Sequence, residues 1–148
     1  MYKFVLLIFL VSASCGTQNS VSTTTTGTSE TSTAITNGER TLALGEETNL
    51  GGMVIAFSEV LEDSRCPTGT QCFWEGRARL LVEMSGDGMT VEKQEIIFGK
   101  LKPGESHNHT FYKDGTTTIT AKAINPYPTA ETGTTGLAYK LVVMVATE

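Results

Sequence analysis

Apolar and polar residues alternate with a period of two along much of the chain after residue 40. Ala78, Leu80, Val82 and Met84 fall on one side of an extended segment, with Arg77, Arg79, Leu81 and Glu83 on the other. That pattern predicts a strand with one buried face. Ser85-Gly86-Asp87-Gly88 follows, rich in residues that tolerate the positive φ of a hairpin turn, so residues 91–98 are expected to return as the next strand. Met53, Ile55 and Phe57 mark an earlier strand. Residues 106–112 read as a short polar strand with Phe111 as its core contact, ended by a Lys113-Asp114-Gly115 turn. Residues 117–124 and 139–146 supply the last two, the second aligning Tyr139, Leu141, Val143 and Val145 on one face. No segment combines helical periodicity with caps. Six strands, or seven if residues 41–44 pair, predict an all-β fold, an immunoglobulin-like antiparallel β-sandwich, with a small β-barrel as the alternative.

Ahead of these strands the pattern changes twice. Between Gly16 and Gly38, thirteen of twenty-three residues are Ser or Thr and the only large apolar side chains are Val21 and Ile35, too few to bury a core. This stretch is expected to be a disordered tether. Before it, Lys3 precedes an uncharged, mostly apolar run from Phe4 to Ala13, and Cys15 follows the small residues Ser12, Ala13 and Ser14. One positive charge, a short apolar run and small residues at the cleavage point are the parts of an export signal, and the run is too short to span a bilayer. The expected organisation is a signal peptide over residues 1–14, a lipid-attachment cysteine and tether over 15–40, and a β-sandwich domain over 41–148.

Cys15 at the first mature position resembles the lipobox of bacterial lipoproteins, in which that thiol receives a diacylglyceryl group and the new amino terminus is acylated. The usual Leu three residues earlier is replaced by Ser12. The resemblance implies a membrane anchor through lipid on Cys15. Gly16, where Asp retains lipoproteins at the inner membrane, points to the outer membrane. Plain secretion or a periplasmic location is the alternative.

A formal net charge of -5 removes nucleic acid from the partner classes, since phosphate binding requires clustered Lys and Arg. It also leaves the lipid as the only expected membrane contact. The chain has three cysteines. With Cys15 consumed by lipid, Cys66 and Cys72 remain as a pair in a compartment that permits disulfides, and a bridge there would contribute about 2 kcal/mol. Two free thiols, a metal pair or a catalytic cysteine are the competing readings.

The densest motif surrounds that pair: Asp63-Ser64-Arg65-Cys66-Pro67, four residues, then Cys72-Phe73-Trp74-Glu75-Gly76-Arg77-Ala78. It resembles a largely uncharacterised group of small exported bacterial β-proteins sharing DSRCP-x4-C-x-W-x-G-x-A. The resemblance carries no activity and places the cysteine loop between two strands. Trp74 is expected to cover the edge of the core, with an exposed ligand platform as the alternative. Arg65 is expected to pair with Asp63 or brace loop carbonyls. Pro67 and Gly76 complete the structural motif.

Long loops on a rigid sandwich commonly carry recognition. The loop beginning Asn125-Pro126-Tyr127-Pro128 makes Tyr127 and the nearby Tyr139 the candidate binding residues, with pinning of the loop to the sheet as the alternative. Gly133-Thr134-Thr135-Gly136-Leu137, in the same loop, resembles a recognition loop of chagasin-like cysteine-protease inhibitors. His107 and His109 share a side of an extended strand, but two ligands are too few for zinc, so no metal and no cofactor are expected. Carboxylates such as Glu59, Asp63 and Glu75 could form a glycosidase-like pair only in a deep cleft that a domain of this size seldom builds, and no nucleophile elbow, HExxH or phosphate loop occurs. The expected function is therefore non-enzymatic: a lipid-anchored envelope module that binds a protein or glycan or serves a structural role. An exported protease-inhibitor-like module and a small envelope enzyme are the alternatives.

Overall fold

The computed structural model describes residues 37–148 except Asp87. The expected signal peptide, Cys15 and nearly all of the tether lie outside the described residues, as does the centre of the hairpin turn at Asp87. Eight strands form: β1 (Gly38–Ala43), β2 (Glu47–Leu50), β3 (Met53–Asp63), β4 (Arg77–Gly86), β5 (Met89–Gly99), β6 (Thr110–Asp114), β7 (Thr117–Asn125) and β8 (Lys140–Thr147). They make two four-stranded antiparallel sheets, ordered β1-β8-β7-β6 and β2-β3-β4-β5. The fold is the expected β-sandwich and does not close into a barrel. Its strand order is that of two meanders, with β1 crossing over to join the sheet made by the last three strands.

The core follows from the alternation. Ile55 and Phe57 of β3, Leu80 and Val82 of β4, Ile119 of β7 and Leu141 and Val143 of β8 are fully buried between the sheets. Phe111 is buried as expected. Several boundaries differ from expectation; β4 runs on through Ser85 and Gly86, expected as turn, and β5 begins at Met89 instead of residue 91. The first strand begins at Gly38, inside the stretch read as tether. β2 was not anticipated; it is tied to β3 by Gly51 and Gly52, both at positive φ, with Leu50 opposite Met53, the geometry of a two-residue type I′ hairpin. β6 begins at Thr110 rather than at residue 106. It also runs on through Lys113 and Asp114, which were read as part of the turn that ended it.

The outer face of the β2–β5 sheet carries an ion network. Arg77 is 4 % exposed and donates Nε and Nη2 to Glu62 Oε2 at 3.0 and 2.8 Å, and Nη1 to both Glu105 oxygens at 2.9 and 2.6 Å. Arg79 grips Glu95 with two bonds of 2.6 and 2.8 Å. Glu105 lies in the β5–β6 connection, so Arg77 fastens that crossover to the sheet. Hydrogen bonds from Arg77 hold the Glu62 carboxyl at about 2, against an ordinary 4.5. Glu95 and Glu105 are lowered too, by Arg79 and by the Lys102 amide followed by Arg77 respectively. Depressed carboxyl values place this stabilisation fully above pH 4.5 and remove it as pH falls toward 2. Thermal melts stepped through that window are expected to show a falling midpoint, with a shallower fall for Glu62→Gln.

Candidate functional site

The most built part of the molecule lies where the β3–β4 connection meets the β7–β8 connection. β3 delivers Asp63 and β4 begins at Arg77, and the intervening segment carries the cysteine motif. Arg65 is 6 % exposed and turns inward. Its Nε and Nη2 grip Asp63 Oδ1 and Oδ2 at 2.8 and 2.7 Å. Nη1 donates to the Ile124 carbonyl at 2.9 Å and Nη2 also to the Pro126 carbonyl at 3.0 Å. Both roles expected of Arg65, carboxylate partner and carbonyl brace, are therefore filled at once. A buried carboxylate paired this way, with its own exposure at 3 %, is tolerated because the guanidinium fork satisfies both oxygens.

Backbone bonds extend the junction. Ser64 N–H donates to the Arg77 carbonyl and Cys66 N–H to that of Glu75, closing the base of the segment at 2.8 and 2.9 Å. Thr68 N–H donates to the Pro128 carbonyl, and Ala130 N–H to the Thr68 carbonyl, both at 2.9 Å, so the two loops share a short parallel bridge. The Cys66–Cys72 disulfide is formed, which settles the pairing among the readings left open by the cysteine count. The Pro67 carbonyl accepts from the Thr70 hydroxyl at 2.6 Å, tightening the loop between Cys66 and Cys72.

Trp74 departs from the expected core position: it is 70 % exposed, and its neighbour Phe73 is 96 % exposed. The physical reason is that the inward position of the segment is already occupied by the Arg65 guanidinium. With Cys66 tied to Glu75 and bridged to Cys72, residues between them project as a lobe outside the sandwich. The two rings meet edge to face at 5.7 Å, shielding each other only in part. Phe73 was missed by sequence reasoning; its signal was an aromatic pair directly after a disulfide-closed loop, where strand periodicity carries no information.

Tyr127 is half-exposed, with the Arg65 guanidinium 5.0 Å from its ring centre. Tyr139 is placed differently. It packs against the core, and its hydroxyl reaches Asp63 Oδ2 at 3.0 Å and the Thr134 carbonyl at 3.1 Å. Burial, with the Asp63 hydrogen bond, pushes that hydroxyl up to about 12. Tyr139 is thus a brace holding the loop with the Gly133-Thr134-Thr135-Gly136 sequence to the same Asp63 that anchors Arg65.

Beside the lobe is a cleft of about 290 Å³. Phe98, Ala123 and Ile124 give it apolar walls, Tyr127 and Arg65 one side, and Glu75, Lys122 and Asn125 a polar rim. It opens beside the start of β6, because β6 pairs with β7 only as far as Thr120, so residues 122–125 are open along that edge while β8 pairs their other side.

The remaining candidates are dispersed. His107 and His109 precede β6 and lie ring to ring at 5.6 Å, both reaching the Ile97 carbonyl, at 3.4 and 2.7 Å. They meet near the end of β5, with His107 exposed and His109 partly buried. Among the described residues, no three His, Cys, Asp or Glu side chains gather as metal ligands. Of the three carboxylates considered for acid–base work, Asp63 is spent on Arg65, Glu59 borders a groove beside Leu61 and Tyr139, and Glu75 borders the cleft. The chain matches no known protein family, no curated protein and no solved structure.

Proposed function

We propose that the protein is a lipid-anchored, non-enzymatic cell-envelope module whose recognition surface is the Phe73–Trp74 lobe with Tyr127 and the adjoining cleft. The observation that carries this reading is the aromatic pair held in solvent between the Cys66–Cys72 disulfide and the Cys66–Glu75 backbone bond, on a segment that Arg65 fixes from within. Leaving so much aromatic surface in water forgoes stabilisation that burial would supply, and aromatic anchors on rigid loops are the residues that dominate binding surfaces. The anchor rests on Cys15 and the export signal. The chain enters the described domain at Gly38, opposite Val145, whereas the lobe lies near Asn125 and Lys140 at the far end of the sheet. A membrane attachment upstream of Gly38 would therefore join the domain at the end opposite the lobe.

Affinity capture from envelope extracts, with the full chain as bait, tests the surface. Trp74→Ala is expected to change stability by less than about 0.5 kcal/mol, as exposed positions do, while weakening capture of the partner more than tenfold. A Trp74→Ala protein that melts early, or that captures the partner unchanged, would remove the lobe from the reading. Cys15→Ser is expected to abolish incorporation of labelled fatty acid and to release the protein from membranes; unchanged labelling would refute the anchor.

A further inference from the structure

We infer that the cleft beside the lobe binds a neutral carbohydrate, one pyranose ring seated against Tyr127 with its hydroxyls on the Glu75, Lys122 and Asn125 rim. This deepens the binding reading above and rests on it.

Arg65, the buried cation at its side, is bidentate to Asp63, so it has no fork left for a carboxylate or phosphate. The rim adds one cation, Lys122, and one anion, Glu75, which together select no net charge. An extended peptide adds to a strand edge through main-chain hydrogen bonds. Here the Ile124 and Pro126 carbonyls beside the opening are already taken by Arg65. What remains free among the described residues are side chains: the Lys122 ammonium, the Asn125 amide, the Glu75 carboxylate and the Tyr127 hydroxyl, none of which has a hydrogen bond or ion pair there. They supply donors and acceptors around apolar walls made by Phe98, Ala123 and Ile124.

A ligand complementary to such a site is uncharged, has an apolar face for the ring, and carries several hydroxyls around its edge. A pyranose has that form. The volume of about 290 Å³ lies at the small end of ligand clefts, which suits one or two sugar rings. The Tyr127 ring is already oriented by the guanidinium beneath it, so little ordering remains for binding to accomplish. Because Trp74 directly precedes the rim residue Glu75, a second ring has an aromatic surface close by in the chain.

The test uses the full chain with cellotriose and tri-N-acetylchitotriose as neutral probes and a neutral capped tetrapeptide as the competing class. Amide chemical shifts locate the site, and the emission of Trp74, the only tryptophan, reports on the lobe. The expected result is saturable movement of the Gly76, Lys122, Asn125 and Tyr127 resonances at millimolar sugar and none with the peptide. Tyr127→Ala should weaken the sugar about tenfold, and Lys122→Met should weaken it with an unchanged melting midpoint, which separates lost contact from lost fold. No shift with either sugar, or shifts that Tyr127→Ala and Lys122→Met leave intact, overturns the inference. If the peptide moves these resonances and the sugars do not, the ligand class is wrong while the recognition surface stands. Loss of envelope capture by Trp74→Ala reports on that surface independently of either probe.

Discussion

Arg65→Ala is expected to destabilise the domain by about 3–5 kcal/mol, the range for removing one partner of a buried ion pair. The substitution deletes four hydrogen bonds, two to Asp63 and one each to the Ile124 and Pro126 carbonyls. It leaves the Asp63 carboxylate buried with little beyond the Tyr139 hydroxyl to answer it. Chemical denaturation should show a lower midpoint with an unchanged slope, and the melting temperature should fall by more than about 12 °C for a domain of this size. Arg65→Lys should recover little, because a single ammonium cannot grip both carboxylate oxygens and still reach two carbonyls. A loss below about 1 kcal/mol would mean that the junction between the loops is held by something other than this side chain.

Gly76→Ala is the second large effect and acts through the backbone. Gly76 has φ +70°, and a Cβ there would lie 1.8 Å from the Ser64 carbonyl oxygen and 2.9 Å from Arg65 Cα. Neither neighbour is a side chain that can swing aside, so the two strands of the loop base must part. That movement breaks the Ser64–Arg77 and Cys66–Glu75 bonds. Adding about 1–2 kcal/mol for the left-handed conformation to about 1 kcal/mol for each lost bond gives a cost of about 3–4 kcal/mol. Gly45→Ala is the matched control: φ is +83° but open space surrounds the position, so only the conformational cost of about 1–2 kcal/mol is expected. Equal midpoints for the two variants in urea would show that the close approach at Ser64 is not what makes Gly76 necessary.

How much of this was legible in the chain depended on range. The buried faces of β4 and β8 follow from alternation alone, because a two-sheet core reads each strand independently. β2 escaped because Glu47-Thr48-Asn49-Leu50 offers a single apolar residue, although Gly51-Gly52 after it was a hairpin signal in plain view. The cysteine pair was readable from arithmetic. The site was less so. Whether Trp74 lies inside or outside depends on where Arg65 points, and that is decided by carbonyls 59 and 61 residues away in sequence. Tyr139 could be read either way for the same reason: the acceptor that recruits its hydroxyl and makes it the pin, Asp63, is 76 residues distant. Aromatic residues advertise burial or binding equally well in a single sequence, and only long-range partners separate the two.

The crossover of β1 bears on how the domain carries load. β1 is an edge strand held to β8 by an antiparallel register from Gly38–Val145 to Ala43–Lys140, six residue pairs spanning about 20 Å. If the chain is tethered upstream of Gly38 and a partner is held at the Trp74 lobe, tension enters at one end of this ladder and leaves at the other. The hydrogen bonds lie across the line of pull, so they are strained in shear, all together, instead of being unzipped one after another. The strand that looks most peripheral in the sandwich is thereby its mechanical clamp, and a domain fixed to a moving envelope surface would yield last where its first and last strands meet.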